Sequence, residues 1–203
     1  EGYRPTWRGD VALDVVADYG RRLAAVDRLE PFLQHVPVDA VPTTLLDDGS
    51  VTANRPNRPE AAIDRTIELL QGAGDVRILT PFVIPRAVDA VREHVLEAGN
   101  AVELVAPTAA IESLLADDTV TPPALDDDRV RLVATDEDVP LAVVFVDDAV
   151  VLGAFDDTGI PRAIVETDAD DALTWATAVY EARREAGHRL APEDVADMGT
   201  PDP

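Results

Sequence analysis

The sequence predicts an α/β fold: a three-layer mixed sheet with helices on both faces, preceded by a long N-terminal linker helix. Three observations predict it. Helix-like and strand-like segments alternate from residue 60 to residue 135, the pattern of right-handed βαβ crossovers and parallel strands. Residues 141–157, LAVVFVDDAVVLGAFDD, are the most apolar run in the chain and read as a β-hairpin. A last strand and a last helix follow it and add an antiparallel neighbour and a cover.

The hairpin arms are 142–146 and 149–153, joined by a turn at Asp147-Asp148. Both arms are nearly continuous in apolar residues rather than alternating. That pattern predicts burial on both faces, at the centre of a sheet.

The remaining elements follow in chain order. Asp10 or Thr6 can cap a helix over Val11–Leu33, in which Val16, Tyr19, Leu23 and Val26 form a heptad-like stripe. A dimer-forming helix and a helix packed on its own domain share this pattern. Pro31 predicts a kink or an end. Residues 41–56 read as a strand, a turn at Asp47-Asp48-Gly49-Ser50, and a short strand stopped by Pro56. A helix over Pro59–Leu70 presents Ile63, Ile67 and Leu70 on one face and exits through Gly72-Ala73-Gly74. It feeds a strand at Val76–Thr80. A helix at Arg86–Ala98 turns Val88, Val91 and Val95 inward, stops at Gly99, and feeds a strand at Ala101–Ala106. A short helix over Thr108–Ala116, a loop over 117–128 and a strand at Val130–Ala134 lead to the hairpin. The last strand is Arg162–Glu166. Asp168 is the expected cap of a helix over Ala169–Ala186, with Leu173, Ala176, Val179 and Tyr180 facing the core. The segmentation is then 1–37, a leading remnant and linker or dimerisation helix; 38–187, the α/β domain; and 188–203, a flexible tail.

The chain has 203 residues and a net charge of −23, from 40 acidic residues against 17 basic ones. Every basic residue is Arg, and the acidic residues are spread along the whole chain. This is the composition of proteins from salt-loaded cytoplasms, where a Debye length of roughly 3 Å screens the self-repulsion. An acidic surface built to repel nucleic acid or attract cations is the alternative. The chain has no cysteine, which excludes a disulfide framework and fits a reducing cytosol. No apolar run approaches the roughly 18 residues of a membrane span, and no signal peptide is visible. A cytoplasmic location is expected. The chain begins with Glu1 rather than Met, which suggests a fragment or a processed product.

Two resemblances refine this picture. The hairpin resembles the second half of a phospholipase-D-like strand-turn-strand. Aligned on the Asp-Asp turn, that family's His falls on Leu141, its Lys on Val143 and its Asp on Asp148, with Gly153-Ala154 at the small-residue pair. Apolar side chains can neither attack phosphorus nor stabilise its charge, so the resemblance implies a binding descendant of an enzyme fold. Across residues 1–187 the chain is also similar to the C-terminal half of haloarchaeal winged-helix transcriptional regulators, the methanogenesis-regulator-like group. The similarity rests on PTWRGD, on LQHVP after the long helix, on TTLLDDGSVTANRPNRPEAAIDRTIELL, on RILTPFVIP, and on the segment from Val139 to Arg184. It implies an effector-sensing and dimerising domain whose DNA-binding winged helix lies upstream and is absent from these residues. A homodimer and a small-molecule effector are the expected partners, with DNA reached only through that upstream module.

Ligands of open α/β sheets bind beyond the carboxyl ends of the strands. Those ends are Thr80-Pro81-Phe82, Pro107-Thr108 and Thr135-Asp136, with Arg86 one turn into its helix. Thr80, Phe82, Arg86, Thr108 and Asp136 are therefore the candidate ligand residues, suited to an anionic or hydroxylated metabolite. Helix capping by Thr108 is the competing explanation. His35, His94 and His188 are scattered, and no spacing suggests a metal or a cofactor. The sequence points to a non-catalytic regulatory domain. A phospholipase-D-like phosphodiesterase and a purely structural dimerisation module are the alternatives.

Overall fold

A computed structural model describes residues 6–46, 48–116, 127–191 and 194. Its centre is the hairpin formed by β5 (Ala142–Val146) and β6 (Ala149–Phe155). Val143 pairs with Leu152 and Phe145 with Val150. Asp147 takes φ 48° in the two-residue turn, a conformation that Asp tolerates. Val143, Val150 and Leu152 are fully buried, and burying such a side chain stabilises the fold by about 1.5–3 kcal/mol.

On one side of the hairpin lie the parallel strands β2 (Val76–Leu79), β3 (Val102–Pro107) and β4 (Val130–Thr135). β2 runs antiparallel to β5, with Ile78 opposite Val144. On the other side lie β7 (Pro161–Thr167) and then β1 (Ser50–Ala53), both antiparallel to their neighbours. The sheet has eight strands in the order β1-β7-β6-β5-β2-β3-β4-β8. The fold class expected from the sequence is the one observed.

Both faces are covered. One carries the end of α1 (Trp7–Leu33), through Leu29 and Phe32, and α5 (Asp170–Ala186), through Ala172, Ala176 and Tyr180. The other carries α2 (Ala61–Gly72), α3 (Pro85–Ala98) and α4 (Thr108–Ala116). Asn54 ties β1 to α2: its side-chain oxygen accepts from Ala62 N at 3.0 Å, and its amide donates to Pro161 O at 2.8 Å. The Tyr180 hydroxyl donates to Glu103 at 2.7 Å, and Arg184 Nε binds the same oxygen at 2.7 Å. Burial first, and then the Glu103 contact, push the Tyr180 phenol well above its ordinary range.

Several expectations are corrected. Residues 43–46 form a 3-10 turn, not a strand. β1 is an edge strand already paired with β7, and the turn instead drops Leu46 into the core, closed by Gly49 N donating to Leu46 O at 3.0 Å. α1 starts at Trp7 because Thr6 is its cap, the Thr6 hydroxyl accepting from Gly9 N at 3.3 Å. Pro31 lies inside that helix and does not stop it, since fully buried Phe32 anchors the next turn. Ala169 rather than Asp168 is the N-cap of α5, with no side-chain cap, and Asp170 and Asp171 complement the helix dipole. The chain does not leave the fold at Gly187. β8 (His188–Arg189) pairs with β4, and Leu190 packs against Ile111 and Leu114. Most of the loop expected over 117–128 lies outside the described residues.

The turn from α5 into β8 makes a close approach. A Cβ on Gly187 would stand 2.6 Å from Ala134 O and 2.7 Å from a Val133 methyl. Gly187→Ala is expected to destabilise the domain by about 1–3 kcal/mol, read as a lower midpoint in denaturant unfolding. Gly72→Ala, where an added methyl meets nothing within 4 Å, is expected to have no such effect.

Candidate functional site

The hairpin positions that resemble a phosphodiesterase motif are part of the core. Leu141 is 2% exposed and Val143 fully buried, in the cluster that contains Leu29, Phe32 and Tyr180. Asp148 is exposed on the turn, and its neighbour Asp147 accepts a hydrogen bond from Gly74 N at 3.2 Å. Gly153 pairs with Ala142 across the hairpin, and an added Cβ would be 3.1 Å from Ala142 Cβ and 3.7 Å from the Phe155 ring.

The five strand-end candidates do not converge on one site, although Phe82 and Asp136 line a common cavity of about 610 Å³ at the strand ends, with Pro107, Val139 and Phe155. Thr80 is buried at the end of β2, and its hydroxyl donates to Phe82 O at 2.8 Å, bending the chain out of the sheet. Phe82 packs on Phe155, ring centroids 5.5 Å apart. Thr108 and Asp136 meet each other, the Thr108 hydroxyl donating to Asp136 Oδ1 at 3.0 Å across the β3 and β4 ends. Arg86 stands apart on α3. Its guanidinium donates to Glu60 and Asp64 at 2.8 Å each, clamping α3 to α2.

The β6–β7 turn shapes the wall behind Phe82. Asp156 Oδ1 accepts from Thr158 N, the Thr158 hydroxyl and Ile160 N, while Arg162 holds the other oxygen. The Thr158 hydroxyl first, then the Ile160 amide and Arg162, keep this carboxyl below its usual range. Gly159 adopts φ 79°, and a Cβ there would meet the Phe82 ring at 2.9 Å.

Thr80 and Phe82 also line an apolar space. Between α3 and the sheet lies a cavity of about 500 Å³. Its walls are apolar: Ile78, Leu104 and Val144 from the strands, Ile63 and Leu70 from α2, Ala87, Val88 and Val91 from α3. Thr66, Thr80, Arg92 and Asp127 are its polar residues. The Arg129 guanidinium beside Asp127 pulls that carboxyl down to about 2. The sequence reading missed these aliphatic residues as site residues, because period and hydrophobicity mark a residue as inward-facing without saying whether the space in front of it is filled.

Among the described residues, no cluster of His, Asp and Glu is arranged to hold a metal, and no helix is long and apolar enough to cross a membrane. The first three-quarters of α1 carries a further apolar surface. Val16, Tyr19, Leu23 and Val26 are 67%, 64%, 48% and 45% exposed, and Trp7 is 79% exposed.

A mixed sheet covered on both faces, with the hairpin at its centre, makes this a three-layer α/β domain. Residues 59–186 match the family described as methanogenesis regulatory protein FilR1, middle domain, and the chain belongs to that family of regulatory domains. No curated protein sequence matches it. Among solved structures it is similar to the archaeal chromatin protein TrmBL2, at 13% identity and a TM-score of 0.54 over 91% of this chain and 67% of that one. It is also similar to the phospholipase D family member Nuc from Salmonella typhimurium, at 15% identity and a TM-score of 0.55, over 70% of this chain and 99% of that one. NucT from Helicobacter pylori aligns at 18% identity and a TM-score of 0.51, over 70% and 98% of the two chains. At these identities the likeness concerns the fold.

Val143→Lys would place an ammonium among fully buried aliphatic groups. An uncompensated charge there is expected to cost about 3–5 kcal/mol. The variant should unfold at much lower denaturant than the parent and gain no phosphodiesterase activity, checked by circular dichroism and by turnover of bis(4-nitrophenyl) phosphate.

Proposed function

We propose that this chain is a non-catalytic regulatory domain of an archaeal transcriptional regulator. It senses an effector and joins two copies through α1, and its parent protein contacts DNA through an upstream module. One observation carries the non-catalytic part: the positions of a phosphodiesterase nucleophile and its cationic partner hold Leu141 and Val143, both sealed in the core. Membership of a regulatory family supports the same reading.

The dimer part rests on α1. From Asp10 to Ala24 the helix buries no described residue, while Ala25, Leu29 and Phe32 dock its end on the sheet. The stripe Val16-Tyr19-Leu23-Val26 therefore does not pack on its own domain. Its spacings of three, four and three are those of a seam between two like helices, and a second copy is the occupant such a seam fits. The charge of −23 makes these residues themselves a poor surface for a polyanion. The structurally similar TrmBL2 is described as a chromatin protein with its own mode of DNA binding, which supports a DNA-linked role for the parent protein.

Light scattering in about 2 M salt, which shortens the Debye length to a few ångströms, is expected to give twice the 21.7 kDa chain mass. Leu23→Arg combined with Tyr19→Arg should halve that mass without altering the circular dichroism spectrum. A monomeric parent would remove α1 as the dimer element. Turnover of a generic phosphodiester that Asp148→Ala abolishes would overturn the non-catalytic assignment.

A further inference from the structure

The sheet face under α3 is incompletely packed. β2 is an interior strand, yet Ile78 is only half-buried. Across from it Ala87, Val88 and Val91 face the sheet and are half-buried too. Protein interiors rarely leave voids much larger than a water molecule. A space of about 500 Å³ is instead of the size of small-molecule sites, roughly 300–1,000 Å³.

The hydroxyls and the carboxylate around this space are already engaged, and Arg92 is half exposed. The Thr66 hydroxyl donates to Ala62 O at 3.0 Å and the Thr80 hydroxyl to Phe82 O at 2.8 Å. Arg92 pairs with Asp89 and Asp127 with Arg129. Among the described residues, no buried side-chain nitrogen or oxygen lacks a partner. A sugar, nucleotide or amino acid entering here would lose its water and find few hydrogen-bonding groups in exchange. An apolar molecule loses nothing comparable and gains the whole aliphatic lining. The Arg86 clamp to Glu60 and Asp64 ties α3 to α2 from outside, so the roof of the cavity is held to a helix that packs directly on the sheet through Ala62 and Leu70.

We propose that the cavity between α3 and the sheet is a ligand site, and that its ligand is a small molecule of hydrocarbon character rather than an anionic or hydroxylated metabolite. This deepens the sensing role proposed above and rests on it, while leaving dimerisation through α1 independent.

The test uses the neutral fluorophore N-phenyl-1-naphthylamine, titrated into the chain in molar salt. Expected is saturable binding of one probe per chain, displaced by 1-decanol and unaffected by glucose or AMP. Ala87→Phe, which projects a ring into the cavity, is expected to weaken binding at least ten-fold while keeping or raising the melting temperature. Val88→Phe serves the same purpose if the first variant does not fold. Non-saturable binding, unchanged affinity in a folded cavity-filling variant, or displacement by the polar metabolites in preference to decanol would each overturn the proposal. Light scattering on the same samples separates the two readings. A dimer that binds no probe removes the cavity site alone, and a monomer that binds it removes the dimer alone.

Discussion

The β5–β6 hairpin is apolar on both faces, and a strand pair of that kind is stable only when it is covered twice. The remaining architecture follows from this requirement. The βαβ units place β2, β3 and β4 on one side of the hairpin, while β7 and β1 extend the sheet on the other. Right-handed crossovers put α2, α3 and α4 over one face. The chain's two outer segments, the end of α1 and the whole of α5, close the other. The first and last helices of the domain thus share a core, anchored at Phe32 and Tyr180.

The same burial encloses the hairpin positions Leu141 and Val143. Those side chains pack in one cluster with Leu29 and Phe32, so the hairpin holds the end of the helix that emerges from the domain. The hairpin face is thereby the surface that holds the end of α1, in a chain that belongs to a family of regulatory domains.

The two faces differ in how well they are filled. Under α1 and α5 the packing is continuous and is reinforced by polar contacts. Tyr180 and Arg184 converge on Glu103, and Arg77 lies 4.2 Å from the Phe145 ring centroid. Under α3 the helix is held by its neighbour α2 and stands away from the strands. That asymmetry leaves one layer closely packed and the other with an apolar cavity beneath it.

Hydrophobic patterning alone determined the elements and most of the topology. The unbroken apolar runs of β5 and β6 marked the sheet centre, and the β2-α3-β3-α4-β4 alternation marked the parallel strands. Both are properties of side-chain period, which a chain carries locally. Gly99, at φ 72°, ended α3 as expected because only a residue free of a Cβ adopts that conformation cheaply. Tertiary structure decided what depends on distance between elements. Residues 43–46 became a turn that carries Leu46 into the core. His188–Leu190 joined the sheet because β4 left an open edge beside Gly187. Arg86 paired with Glu60 and Asp64, and Thr108 with Asp136, partners that only the packing of separate elements brings together. The cavity under α3 was invisible for the same reason: Ile78, Ala87, Val88 and Val91 have the pattern of core residues, and whether a core position is filled depends on how far apart two layers stand, which no local sequence pattern encodes.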